Sequence, residues 1–351
     1  MKRFRCRCGQ LIFFDSTVCV RCNERLGFNP ETLDMCTVNS DADGIWRTEA
    51  KSAFKMCKNT IDFQNCNWLV EAEDANTLCK GCRFNRTIPN LAKAENLTRW
   101  SKVEAAKKRL LFTIYSLRLP ITDGFSDSLN GLFFDFLEDE RSDPIMFANT
   151  HAPIGYLNGT VTINVLEADD DFREAVRVQM NEPYRTLLGH LRHESGHFFW
   201  GLVEKNETLL STFRSLFGND QEDYAAALTR YYSNKADSRW QDEFISQYAS
   251  SHPLEDWAEC WAHYLYIYDA METVGEYFSQ TPPLQNDTFD GWIQAWGEVC
   301  IAYNEVNRGS GLGDLYPFVL NPEVVNKLRF VDQVVKINSI SGEMVRSTAG
   351  H

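Results

Sequence analysis

Apolar and polar positions alternate differently in the two halves of this chain. Before residue 90 the apolar runs are short and broken by cysteine and glycine, as in the strand-like Leu11-Ile12-Phe13-Phe14. From Trp100 to Leu119, Val103, Leu110, Leu111, Ile114 and Leu117 recur at helical spacing among lysines and arginines, which predicts an amphipathic helix ending before Pro120. Its apolar face is expected to pack on the domain that follows. Leu132–Leu137 and Gly159–Val165 are rich in β-branched and aromatic residues and read as strands. After Pro183 the pattern is overwhelmingly helical, over 183–204, 220–233, 238–250, 254–270 and 286–307. Ile88-Pro89-Asn90 closes the cysteine-rich region and Asn96-Leu97-Thr98-Arg99-Trp100 opens a different kind of sequence, so the expected domains are 1–90 and 96–351. The fold class is α+β: a cysteine-rich N-terminal region, then a mainly helical domain with a small sheet.

Composition changes this picture little. The 351 residues, 44% hydrophobic and 24% charged, suit an ordinary globular protein, and no apolar run approaches the ~20 residues of a membrane span. Basic residues at the start lead into cysteines and not into a hydrophobic signal core, so a cytoplasmic protein without membrane contact is expected. A formal net charge of −14 argues against broad nucleic-acid affinity, although the first 25 residues are locally basic. The pattern sets no oligomeric state.

Cysteine placement is more informative. In a cytoplasmic chain, cysteines crowded before residue 83 point to metal and away from disulfides. Cys6-x-Cys8-Gly9 and Cys19-x-x-Cys22 are two short ligand pairs with zinc-ribbon spacing, four thiolates that close a tetrahedron and leave no open position. Such a site is structural. Cys57, Cys66 and Cys79-x-x-Cys82 form a looser set; it is either a second structural zinc site or four buried, inert cysteines. Cys36 has no evident partner, and Cys260 and Cys300 lie in apolar helical surroundings as core residues.

The stretch that carries chemistry is Leu187-Leu188-Gly189-His190-Leu191-Arg192-His193-Glu194-Ser195-Gly196-His197-Phe198-Phe199-Trp200. On a helix, His193 and His197 at i and i+4 project from one face and can offer two imidazoles to one zinc ion, with Glu194 beside it as general base. Apolar bulk on both flanks buries this helix, where two unpartnered imidazoles would be costly. Catalytic zinc takes a third protein ligand. The candidate stretch runs from Tyr248 to Leu265, where Pro253 opens a helix and Glu255 and Glu259 share a face with His263 close by. Zinc for one carboxylate and a histidine N–H for the other satisfies both. His252 and His263 divide evenly between support of the centre, or of an oxyanion, and plain packing.

Glu255-x-x-Ala258-Glu259-x-x-Ala262 after His-Glu-x-x-His resembles the gluzincin-type zincins of the lethal-factor-like kind. That resemblance implies Glu255 as the zinc ligand, Glu259 as its support and Tyr248, seven positions earlier, as the oxyanion donor. Nearly the full length is similar to bacterial zinc-binding metallopeptidases with an N-terminal zinc-ribbon domain, through Cys6-Arg7-Cys8-Gly9, Cys66-Asn67-Trp68, Glu167-Ala168-Asp169-Asp170, Glu182–His190, Arg192–His197 and His252–Glu259. A small sheet before a metal helix is the zincin arrangement. There the strand Val161–Val165 would present an open edge to an extended peptide, unless it is simply a covered strand.

The expected activity is zinc-dependent hydrolysis of a peptide or protein substrate, with one catalytic and one or two structural zinc ions. Two other readings stay open: a zinc-ribbon module that binds protein or nucleic acid on a non-catalytic scaffold, and an amidase acting on a non-peptide substrate. Glu194 and Tyr248 weigh against the scaffold, which needs neither. Residues 1–90, too small to hold a core without metal, are expected to fold alone with their zinc and to dock a substrate or partner.

Overall fold

The structure is a computed structural model, and it describes residues 1–143, 145–147, 149, 151–152, 154–180, 182–233, 238–278 and 288–348. Short strands fill the N-terminal region: β1 (Phe4–Arg5), β2 (Leu11–Ile12), β3 (Leu26–Asn29), β4 (Asp34–Thr37), β5 (Asn39–Ser40), β6 (Trp46–Arg47), β7 (Ala53–Met56), the short helix α1 (Lys58–Phe63), β8 (Leu69–Glu71) and β9 (Asn85–Thr87). There follow α2 (Ala94–Ser116), β10 (Phe133–Leu137), β11 (Gly155–Leu157), β12 (Thr160–Asn164), α3 (Asp170–Gln179), α4 (Leu187–Glu204), α5 (Glu207–Leu216), α6 (Tyr224–Ser233), α7 (Pro253–Tyr277), α8 (Phe289–Gly309) and α9 (Pro322–Thr348).

By contacts the chain divides into two compact units, Lys2–Ser116 with Ile121–Arg173, and Glu174–His351 with Leu117–Pro120 and Met1. Among the described residues, all of the sheet structure lies in the first unit. β1 pairs with β2 and β3 with β4, β5 to β8 form an antiparallel sheet in chain order, and β11-β12-β10-β9 form a mixed one. An aromatic core holds it together: Phe14 lies 4.9 Å from Phe28, Phe28 4.8 Å from Trp68, and Phe112 of α2 5.4 Å from Phe14. α2 therefore packs on both stretches of sequence: Phe112 joins the aromatic core of the cysteine-rich region, and the helix also lies against the 3-10 turn Val165–Ala168 of the stretch that follows. On α2 the fully buried Lys107 also places its ammonium over the rings of Phe134 and Phe136 in β10.

The expected open edge at 161–165 is corrected. β12 pairs with β10 in parallel and with β11 antiparallel, so both of its sides are taken, and Thr160–Asn164 are all buried. A continuous apolar and β-branched run is what a strand covered on both faces requires. The edges of this sheet are β11 and β9.

The second unit is helical. α4 starts at Leu187 because the Thr186 hydroxyl caps it, accepting from the Gly189 N–H at 3.0 Å. His252 caps α7 through Nδ1, which accepts from the Leu254 N–H at 3.1 Å, and Pro253 sits at the first turn. α4 and α7 cross at Gly196, where a Cβ would stand 2.9 Å from the Ala258 Cα. The indoles of Trp257 and Trp261 close this crossing by donating to the Gly196 carbonyl (2.8 Å) and the Ser195 hydroxyl (3.1 Å). The stretch 238–250 differs from the expected helix: it holds two 3-10 turns, Ser238–Asp242 and Tyr248–Ser251. Residues 286 and 287 of the helix expected over 286–307 lie outside the described residues. Among the described residues, no helix is long and apolar enough to cross a membrane.

Candidate metal centre

Among the described residues, three groups of side chains bring their donor atoms within 4.8 Å of one another: Cys6, Cys8, Cys19 and Cys22; Cys57, Cys66, Cys79 and Cys82; and His193, His197 and Glu255. Four thiolates on a tetrahedral zinc with bonds of about 2.3 Å stand about 3.8 Å apart. The sulfurs of Cys6 and Cys22 are 3.6 Å apart and those of Cys8 and Cys19 3.7 Å. In the second set, Cys66 lies 3.6 Å from Cys79 and 3.8 Å from Cys82. Both sets therefore fit zinc, and the looser spacing of the second is no obstacle once β8 and the turn at residues 79–82 bring it together.

Backbone geometry prepares both. In the first set the chain turns at Gly9, whose φ of +83° suits a residue without Cβ and whose N–H donates to the Cys6 carbonyl at 2.8 Å. The Cys22 N–H draws the Cys19 thiol down to about 6. In the second, N–H groups of Trp68, Cys79 and Cys82 point at the sulfurs of Cys66, Cys57 and Cys79, each at 3.4 Å. All four of these cysteines are buried, and so is Lys108 beside them. Burial pushes the Cys66 thiol up, but the neighbouring thiols and the Lys108 ammonium hold it well below its usual value.

The third group is built by the α4–α7 crossing. His193 Nε2 is 3.3 Å from His197 Nε2 and 3.0 Å from Glu255 Oε2, and His197 Nε2 is 3.5 Å from Glu255 Oε1. Nitrogen and oxygen ligands about 2.0–2.1 Å from a tetrahedral zinc stand about 3.3 Å apart, so this donor set fits as well. The other nitrogen of His193, Nδ1, meets Glu259 Oε1 at 2.7 Å, which fixes the ring with Nε2 facing inward. Burial lowers the His193 pKa, yet the carboxylates of Glu255 and Glu259 outweigh it and hold the ring well above its ordinary value. Glu194 is buried on the same helix, and His190 Nε2 lies 3.1 Å from its Oε1. Burial raises the Glu194 carboxyl, but His190 and the two motif histidines hold it below the usual range.

Tyr248 stands at the rim, its ring 5.9 Å from that of His193, with its phenol pushed up by burial. The phenol that touches the centre is a different one. Tyr224, the first residue of α6, donates to Glu255 Oε1 at 2.6 Å. No local pattern marks Tyr224, which is 31 positions from Glu255. His190 was legible, one turn before Glu194 on the same face. The two further candidate histidines have partners of their own: His252 Nε2 bonds the Glu222 carbonyl at 3.1 Å, and His263 Nδ1 the Tyr316 hydroxyl at 2.8 Å.

The family described as "Putative zinc-binding metallo-peptidase" matches residues 96–334. The chain belongs to this family. Residues 3–93 match a zinc-ribbon domain. Uncharacterized proteins of Mycobacterium bovis and of two Mycobacterium tuberculosis strains are each 37% identical over 344 residues, covering 95% of this chain and 95% of theirs. No solved structure matches.

Proposed function

We propose that this member of the family hydrolyses peptide bonds at the centre formed by His193, His197 and Glu255. The observation that carries the reading is the convergence of those three donors beside a buried Glu194 on the same helix. A zinc ion held there supplies an acidified water and a Lewis acid for the scissile carbonyl.

The residues divide the work by what each atom can do. Glu194 accepts a proton from the attacking water and delivers it to the leaving amine. His190 holds Oε1 of that carboxylate, which leaves Oε2 to move the proton. Glu259 keeps the His193 ring in the tautomer that presents Nε2, and Tyr224 holds Oε1 of Glu255. Tyr248 would donate to the developing oxyanion. The two four-cysteine sets would each hold a closed, structural zinc.

Bound zinc and turnover on an unbiased peptide library, measured together, test this. Glu194→Gln is expected to retain the ion and lose about 10²–10⁴-fold in rate. Glu255→Ala is expected to lose the ion from this site alone. Zinc lost from the first variant and kept in the second would mean that base and ligand are assigned to the wrong glutamates, and would reopen Asp256 or Glu259 as the third ligand.

A further inference from the structure

The N-terminal unit contains a cleft of about 530 Å³, the size that accommodates a small organic ligand. Its walls are unusual for a chain with a formal net charge of −14: Arg25, Lys55 and Lys58 line it, with no aspartate or glutamate among the lining residues. Trp46, Met56 and Ile61 supply its apolar lining.

The three cations are not occupied with carboxylates. Among the described residues none of them makes an ion pair, and Lys55 spends its ammonium on the Asp74 backbone carbonyl. Arg25 is the telling one. Its Nε is buried and has no hydrogen-bond partner, a costly state for a charged group. An indole beside unpaired cations favours a ligand that combines a flat or branched apolar body with a negative head.

We propose that this cleft binds a small organic anion, its apolar body against Trp46 and its carboxylate or phosphate among Arg25, Lys55 and Lys58. The site is independent of the metal centre and of the peptidase reading. It gives the N-terminal region a recognition role that four-thiolate zinc sites alone do not supply.

Titration calorimetry on the full, zinc-loaded chain tests this with three probes: N-acetylphenylalanine, phenyl phosphate and the uncharged N-acetylphenylalanine amide. One or both anions should bind while the amide does not, and whichever is tighter identifies the head group as carboxylate or phosphate. Lys58 is exposed, so Lys58→Glu should fold normally, keep its zinc content and weaken binding at least about tenfold, with a loss of similar size in Arg25→Gln. Carboxylates also ligate catalytic zinc, so Glu255→Ala is run in parallel and should bind the anions as wild type does. The proposal is overturned by no binding of either anion at about 10 mM, a Kd weaker than any useful site. It is equally overturned by an amide that binds as well as the acid, or by binding that survives Lys58→Glu and Arg25→Gln but vanishes in Glu255→Ala.

Discussion

Glu255 carries two attachments at once: its Oε2 faces His193 Nε2, and its Oε1 accepts from the Tyr224 phenol at 2.6 Å. A carboxylate held by one oxygen offers the other in a fixed direction, so Tyr224→Phe is expected to lower zinc affinity roughly 10–100-fold, as loss of a group that orients a ligand does. Tyr248→Phe should leave zinc bound and cost a few kcal/mol of transition-state stabilisation, as removal of one oxyanion donor does. Competition titrations with a zinc indicator dye, read beside kcat, separate the two phenols. Unchanged affinity in Tyr224→Phe with a sharp fall in kcat would move the oxyanion role to Tyr224. Which of these residues the sequence reveals follows from distance along the chain. His193, His197 and Glu194 announce themselves by helical spacing, and Glu255 and Glu259 by one face of a second helix. Tyr224 is brought in only by the packing of α6, and no periodicity encodes that.

Helix crossings decide whether those residues meet. At the α4–α7 crossing a methyl on Gly196 would come within 2.9 Å of the Ala258 Cα and 3.2 Å of the Trp261 Cβ, and neither of these can swing away as a side-chain tip would. Gly196→Ala should therefore cost about 1–3 kcal/mol in a thermal melt and weaken zinc as well, because it parts the helix of His193 and His197 from that of Glu255. A variant that melts lower but binds zinc as wild type would show that the centre tolerates a shifted crossing.

The α7–α9 contact is different in kind. Lys327 Nζ lies 2.6 Å from Asp256 Oδ2 with both side chains buried, and burial wins against the ammonium, pushing the Asp256 carboxyl from 3.8 up to about 6. A carboxyl raised on folding stabilises while protonated, and that contribution fades as pH climbs from 3.8 through about 6. Lys327→Met leaves the ionised carboxylate alone, so its cost should approach about 3–5 kcal/mol at neutral pH and shrink toward pH 4, where Asp256 holds its proton. Urea melts at the two pH values measure this, and an equal loss at both would exclude the ion pair as its cause. Of these elements α4, α7 and α8 were legible from periodicity and α2 from its stripe. α5 and α9 carry the same signals, the Asn206 cap and Pro322 among them, within a stretch that reads as helical throughout. The strands of the first 71 residues are too short, two to four residues each, to show any period.

At the scale of the molecule, composition divides the chain near residue 90, and contacts divide it elsewhere. Phe112 of α2 is fully buried, 6.4 Å from Phe4, 5.4 Å from Phe14 and 6.0 Å from Phe28, so the helix that opens the second stretch of sequence completes the core of the first. β9 at 85–87 likewise pairs with β10 at 133–137, and Arg86 bonds the Asp135 carboxylate. A cut between 90 and 96 would strip α2 of its aromatic partners and leave β10 with an open edge. Each large apolar side chain returned to water costs about 1.5–3 kcal/mol, and losing several exceeds the whole stability of an ordinary domain once the strand pairing goes too. Fragments 1–90 and 96–351 are therefore expected to aggregate or to unfold without a cooperative transition, even with zinc supplied. A fragment 1–173 should fold, retain zinc on its eight paired cysteines and melt as one unit. Expression of the three fragments with metal analysis and calorimetry decides the matter. If 96–351 were to melt at the temperature of the full chain with its histidine-bound zinc in place, the aromatic contacts of α2 would contribute little, and the boundary read from composition would also be the physical one.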